Sequence, residues 1–210
     1  MSYDVHHPLF GRLYARFSPK TEARGGAEHR RELLADLRGR VLELGAGNGL
    51  NFPYYPATVT EVVAVEPEDY LRARADGAAQ STPVRVSVVD AVADQLPFPD
   101  GSFDAAVASL VLCSVPDQAS ALCELRRVLR PGGELRFYEH VRPNNPRTAA
   151  VWQRADQWNI YPRIAGGCHA ARDTERAIRD AGFDVERCRR FPFKGGPVTA
   201  PHILGVARRL

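Results

Sequence analysis

Two spacings of apolar residues divide the chain. Over residues 8–37 they follow a helical period. Leu9, Phe10, Leu13, Tyr14 and Phe17 form one stripe, and a second helical piece over 21–37 is softened at Gly25-Gly26. From residue 40 short β-prone runs alternate with helical stretches, giving strands over 40–44, 60–66, 84–89 and 103–108 and helices over 67–80 and 117–130. The second of these helices carries Ala121, Leu122, Leu125, Val128 and Leu129 on one side. Pro131-Gly132-Gly133 is expected to end it, because proline removes a backbone donor and glycine permits positive φ. A fifth strand is expected over 134–141, a helical or irregular stretch over 148–166 and a helix over 173–181. Two closing strands, 183–191 and 201–209, are linked through Lys194-Gly195-Gly196-Pro197. Such alternation implies βαβ units and a doubly wound, mostly parallel α/β sheet buried on both faces, with one antiparallel strand contributed by the closing pair.

Composition narrows the classes of function. With 44% hydrophobic and 25% charged side chains among 210 residues, one packed core needs neither disulfides nor a structural metal. A net charge of +3 with both signs interleaved leaves no electrostatic footprint for nucleic acid. The basic cluster Arg187, Arg189, Arg190, Arg208 and Arg209 reads as a solvated face. Cys113, Cys123, Cys168 and Cys188 have no metal-ligand spacing, so no metal site is expected. So few cysteines in a chain of this size fit a reducing, cytoplasmic compartment. The N-terminus lacks the basic and apolar regions of a signal peptide, and no stretch approaches the ~18 apolar residues of a membrane span.

The chemistry concentrates where the first strand runs into Gly45-Ala46-Gly47-Asn48-Gly49. A turn without side chains at the carboxyl end of a parallel strand lets the backbone approach a ligand closely. The dinucleotide fingerprint would need glycine at position 50, which is Leu50, and Pro53 and Pro56 interrupt the helix that would hold a pyrophosphate. The turn therefore suits a ligand without phosphates. Glu66, 21 residues after Gly45 at the end of the second strand, can accept both hydroxyls of a ribose. Glu43 sits inside the first strand, where a carboxylate without a partner is costly. It is expected to hold backbone N–H groups of the turn or to face a ligand amino group.

Val41-Leu42-Glu43-Leu44-Gly45-Ala46-Gly47-Asn48-Gly49 resembles motif I of the class I S-adenosylmethionine (SAM)-dependent methyltransferases. Glu66 falls at that family's ribose-binding acid. The segment from Leu96-Pro97-Phe98 to Phe103-Asp104, and Leu125 to Pro131-Gly132-Gly133, resemble the segments flanking its fourth strand and opening its fifth. The likeness spans roughly 38–141 and implies a seven-stranded Rossmann-like sheet with its last strand antiparallel. It also implies SAM as cofactor, S-adenosylhomocysteine as product, and a cofactor set of Glu43, Gly45, Ala46, Gly47, Asn51, Glu66, Pro67, Asp90, Ala91, Val92, Ala93, Ser109 and Leu110. Many relatives place an acid and an alanine where Val92 and Ala93 stand, so the adenine amino group is expected to meet Asp90, Asp94 or backbone. The single domain, 1–210, then divides into a helical lid (1–37), a cofactor-binding core (38–141) and an acceptor-side insertion with closing strands (142–210).

The partner is expected to be a small-molecule methyl acceptor, held in line with the methyl carbon at about 3–3.5 Å in a water-poor pocket. Its wall is expected from 109–114, 138–141, 167–169 and the aromatic lid residues Tyr3, Phe10 and Tyr14. His140 is the first choice for a general base, with His169 beside it. His202 reads as structural, and Cys113 and Cys168 as packing residues. Leu110 to Val115, Glu139-His140-Val141, Gly166 to Thr174, Pro201 to Gly205 and Asn51-Phe52 with Tyr55-Pro56 also resemble the subgroup containing animal alkyl thiol S-methyltransferases. That likeness implies a small hydrophobic thiol attacking as thiolate. The animal members carry an apolar N-terminal membrane segment, which is not expected here. An O-, N- or C-methyltransferase of a quinone-like or phenolic metabolite, with Trp152, Trp158 and Tyr161 around a ring, stays open, as does a SAM-binding protein without catalysis. A nicotinamide oxidoreductase is disfavoured by Leu50 and Pro53.

Overall fold

The computed structural model describes residues 8–158, 162–163, 165–195 and 199–210. Tyr3, Tyr161, Gly196, Pro197 and part of the 148–166 stretch lie outside them. Seven strands, β1 Gly39–Leu44, β2 Val59–Val65, β3 Val86–Val89, β4 Phe103–Ser109, β5 Leu129–His140, β6 Phe183–Phe193 and β7 Ala200–Arg209, form one sheet in the order β3-β2-β1-β4-β5-β7-β6. β1 to β5 run parallel, and β7 is antiparallel to both of its neighbours.

Alternation along each strand sends side chains to two separate cores. Leu42, Leu44, Ala106, Ala108, Leu135 and Phe137 pack with helix α4 (Gln118–Val128) and with Ile178 of α6 (Thr174–Asp180). On the opposite face Val41, Val62, Ala64, Ala105 and Val107 pack with Leu33 and Leu34 of α2 (Ala27–Leu34) and Ala75 of α3 (Asp69–Ala79). Helix α1 (Pro8–Thr21) joins α2 through a π-turn, Glu22–Gly26, where Gly25 has φ +114°, so the break expected at Gly25-Gly26 is present. Helix α5 (Pro146–Gln157) contributes no buried residue.

Pro131-Gly132-Gly133 does not end α4. The helix stops at Val128, and wholly buried Leu129 already pairs with Phe103 of β4. The register then slips, so that Ala105 faces Glu134, and the proline and two glycines make an irregularity inside β5. Burying Leu129 on the sheet draws the chain into the strand before the proline is reached. The β1–β2 connection holds only a 3₁₀ turn, Phe52–Tyr54, so no helix N-terminus faces the glycine turn there.

Candidate active site

The parallel strands bring Gly45-Ala46-Gly47, Glu66, the 90–93 loop and Ser109-Leu110 to one sheet edge, at their carboxyl ends. Gly45, Gly47 and Gly49 all have positive φ, and a Cβ at Gly45 would run into the Val111 side chain. Glycine is thus required where the turn passes beneath the loop after β4. Leu110 also sits at positive φ (+58°), a strained setting for a leucine, with its N–H bound to the Tyr138 carbonyl at 2.7 Å.

Glu66 accepts the Gly47 N–H at one oxygen (2.8 Å) and the Glu68 N–H at the other (3.1 Å). It therefore shapes the glycine turn, and each oxygen keeps a lone pair for a second donor. Burial pushes its pKa up against those two N–H groups. Pro67 and Ala91 to Ala93 are half-buried beside it. Asp90 is exposed and paired with Arg72 at 3.3 Å, and Asp94 is exposed.

Glu43 does not hold backbone N–H groups of the turn. Its oxygens accept from the Asn51 amide (2.9 Å) and the Tyr55 hydroxyl (2.7 Å), fastening the segment after the turn to β1. Asn51 in turn accepts from Arg30 (2.7 Å), which also reaches the Ser109 hydroxyl (3.1 Å) and pairs with Glu22 (2.9 Å). This buried relay crosses the cleft floor from β1 to the π-turn after α1, and neither Arg30 nor Glu22 stood among the sequence candidates. Burial raises the Glu43 pKa to about 7, against the hydrogen bonds from Tyr55 and Asn51. A carboxyl with a raised folded-state pKa contributes stability present below its unfolded value, and that stability is lost as pH climbs to about 7. Glu43→Gln should therefore flatten the pH dependence of unfolding between about 4.5 and 7, a window equivalent to about 3 kcal/mol at most. Urea midpoints at pH 5 and pH 8 check this, and equal pH slopes in the two proteins would refute it.

Tyr14 of α1 lies over the turn, in contact range of Gly47, and a cleft of about 210 Å³ opens among Phe10, Tyr14, Phe17, Glu22, Arg30, Leu50 and Leu110. Glu22 Oε2 is buried without a hydrogen-bond partner among the described residues, which suits a ligand bearing an ammonium and a sulfonium. Of the aromatic residues available to a ring-shaped acceptor, Trp158 is 71% exposed and Tyr161 lies outside the described residues.

Beyond β4 and β5 the loops converge. Glu139, wholly buried, accepts the N–H groups of Val111 (3.1 Å), Leu112 (2.9 Å) and Cys113 (3.1 Å). The His169 N–H binds the Cys113 carbonyl at 2.7 Å, and a Cβ on Gly167 would meet the Ser114 carbonyl, so the 166–169 loop is clamped on that turn. His140 is half-buried and turns its Nδ1 toward two sulfurs. Its Nδ1 lies 3.5 Å from Cys168 Sγ and 4.0 Å from Cys113 Sγ. The three residues form a group of potential metal ligands, contrary to the reading of cysteine spacing, because chain topology rather than local sequence assembles them. Burial pulls the His140 imidazole down, but the Cys113 sulfur and the Glu139 carboxylate more than offset this, so its pKa lies above the ordinary value. His169 is half-buried, and burial with the Arg172 charge lowers its pKa. His202, buried in β7, has Nδ1 2.9 Å from the Ala200 carbonyl, as a structural histidine should.

Residues 42–137 match the family model described as methyltransferase domain. The chain is 34% identical over 211 residues to thiol S-methyltransferase TMT1B of Homo sapiens, covering 94% of this chain and 85% of that protein. It is 48% identical over 90 residues to the ubiquinone/menaquinone biosynthesis C-methyltransferase UbiE of Hahella chejuensis, covering 43% and 35%. A crystal structure of a putative methyltransferase from Bacillus halodurans C-125 superposes with TM-score 0.72 at 18% identity, over 88% of this chain and 99% of that one. Fold, crevice and likeness define an enzyme that transfers a methyl group from SAM to a small-molecule acceptor. The chain belongs to the class I SAM-dependent methyltransferases, in the branch that contains the thiol S-methyltransferases. Among the described residues no helix is long and apolar enough to cross a membrane.

Proposed function

We propose that the protein methylates the sulfur of a small apolar thiol. The observation that carries this reading is the reach of the likeness. The thiol S-methyltransferase match covers 94% of the chain at 34% identity, including the loops beyond β5, whereas two C-methyltransferase matches cover 43% and 76% of it. The apolar side chains of Phe10, Phe17 and Leu110 in the cleft wall favour an apolar acceptor.

Bound SAM supplies an electrophilic methyl carbon on a sulfonium. The Gly45 to Gly47 backbone and Glu66 would take its adenosyl part, the 90–93 loop its adenine, and Arg30 beside Ser109 its methionine carboxylate. Glu43 and Asn51 hold that arginine in place from behind. His169, kept neutral near pH 7 by burial and Arg172, accepts the thiol proton, while His140 stays with its two sulfurs. The four cysteines are unpaired, which fits a reducing compartment such as the cytoplasm.

Turnover with labelled SAM across short thiols, phenols and amines tests the acceptor. Label on the thiol sulfur is expected, and label confined to oxygen, nitrogen or carbon would overturn it. His169→Asn should lower kcat/KM by about 100-fold at neutral pH. The deficit should shrink as rising pH ionises the thiol unaided. A deficit independent of pH would show that His169 only shapes the loop.

A further inference from the structure

The sulfur–imidazole corner beyond β4 and β5 is more organised than packing requires. Cys113 and Cys168 are 1% and 5% exposed, and their sulfurs converge on one nitrogen, His140 Nδ1, at 4.0 and 3.5 Å. That nitrogen carries either one hydrogen or one lone pair, so it serves one thiol well, and Cys113 Sγ also lies 3.6 Å from Ser114 Oγ. A cation between the three atoms explains the convergence of both. A tetrahedral zinc with Zn–S of about 2.3 Å and Zn–N of about 2.0 Å sets its sulfur and nitrogen ligands about 3.6 Å apart, and two sulfurs about 3.8 Å apart. The three ligand atoms lie within 4.8 Å of one another, and both sulfur–nitrogen separations are close to that spacing.

We propose that Cys113, His140 and Cys168 hold a Zn²⁺ ion whose fourth position binds the sulfur of the acceptor thiol. Two thiolates and an imidazole are a soft, borderline donor set that selects zinc, and three protein ligands with one open position are the arrangement of a reactive zinc. The supports are already built. Glu139 pins the backbone of Cys113, and the Gly166-Gly167 turn with the His169 N–H brings Cys168 against it. The site stands at the same strand ends as Leu110, which lines the cleft. On binding zinc the two cysteines release their protons to solvent. An acceptor thiol would bind the zinc through its sulfur and release its proton to solvent. The thiolate then attacks the methyl carbon of SAM as the methyl–sulfonium bond breaks, leaving a methyl thioether and neutral S-adenosylhomocysteine.

The fourth ligand rests on the thiol reading, whereas the metal site does not. Full-length protein, stripped with a chelator under reducing conditions and refilled with Zn²⁺ or Co²⁺, should hold one ion per chain. The cobalt form should show sulfur-to-cobalt charge-transfer absorption and the intense visible bands of tetrahedral geometry. Cys168→Ser and His140→Gln, checked for folding by circular dichroism, should each weaken the metal by at least about tenfold. Ethanethiol should shift the visible bands of the wild-type cobalt form. Failure of the reduced, folded wild-type protein to take up either metal overturns the site. Stoichiometric metal with bands unmoved by ethanethiol keeps the site and removes the thiol from its fourth position. Undiminished thiol methylation by metal-free enzyme overturns the role of zinc while leaving the thiol acceptor standing.

Discussion

Glu66→Ala is expected to weaken SAM binding by about 100-fold, measured by calorimetry. In the proposed complex the carboxylate accepts both ribose hydroxyls, and hydrogen bonds to a charged group contribute about 1.5–3 kcal/mol each. The same oxygens already receive the Gly47 and Glu68 N–H groups, so the substitution also loosens the glycine turn. A structural loss alone would lower the unfolding midpoint and spare the affinity of the protein that remains folded. Binding and unfolding are therefore measured on the same preparation. Glu66→Gln keeps one acceptor oxygen but turns an amide N–H₂ toward a backbone donor, and should fall between alanine and wild type. A SAM affinity within threefold of wild type for Glu66→Ala, in a sample shown to be folded, would remove Glu66 from the cofactor site.

The second large effect is on stability. Glu139→Ala should lower the free energy of unfolding by about 4 kcal/mol, because it strands three buried backbone N–H groups at about 1–3 kcal/mol each. Burial pushes the Glu139 pKa well up, and the neighbouring Cys113 adds to it, while the Leu112, Cys113 and Val111 N–H groups oppose the shift. The raised pKa takes away part of what the ionised carboxylate would contribute. Glu139→Gln presents only one acceptor oxygen to the three donors, so it should recover a fraction of the loss. Urea unfolding with an unchanged slope reads the difference directly. A midpoint equal to wild type for the alanine variant would mean that water replaces the carboxylate without cost.

The two acids differ in how plainly the sequence announces them. Glu66 is announced by its distance from the glycine run and by the end of an apolar strand. Glu139 lies two residues after Phe137 and two before Val141, so period-two alternation places it on the buried face of β5, the reasoning that singles out Glu43 in β1. Arg30 was legible in the same way. It precedes Leu33, Leu34 and Leu37 by three, four and seven positions, in register with the buried stripe of α2, yet the run of charges around it reads as solvated surface. The alternation of strands and helices needs only short-range periodicity, whereas the seven-stranded sheet with its antiparallel last strand was legible through the family resemblance. The Cys113–His140–Cys168 group was not, because its members are separated by 27 and 28 residues and meet only once β4, β5 and the following loop are assembled. The partners of Glu43 were hidden for a similar reason: Asn51 and Tyr55 fold back from a 3₁₀ turn whose path the sequence does not fix.

The claim on which the rest depends is that the crevice at the ends of β1, β2 and β4 binds SAM. Titration of the purified chain with SAM and with S-adenosylhomocysteine, using NAD as control, tests it most directly. Micromolar, one-to-one binding of both sulfur compounds with no heat from NAD is the expected result. Folded protein that binds neither, or that prefers NAD, would contradict the assignment of the glycine turn, Glu66 and Arg30 alike.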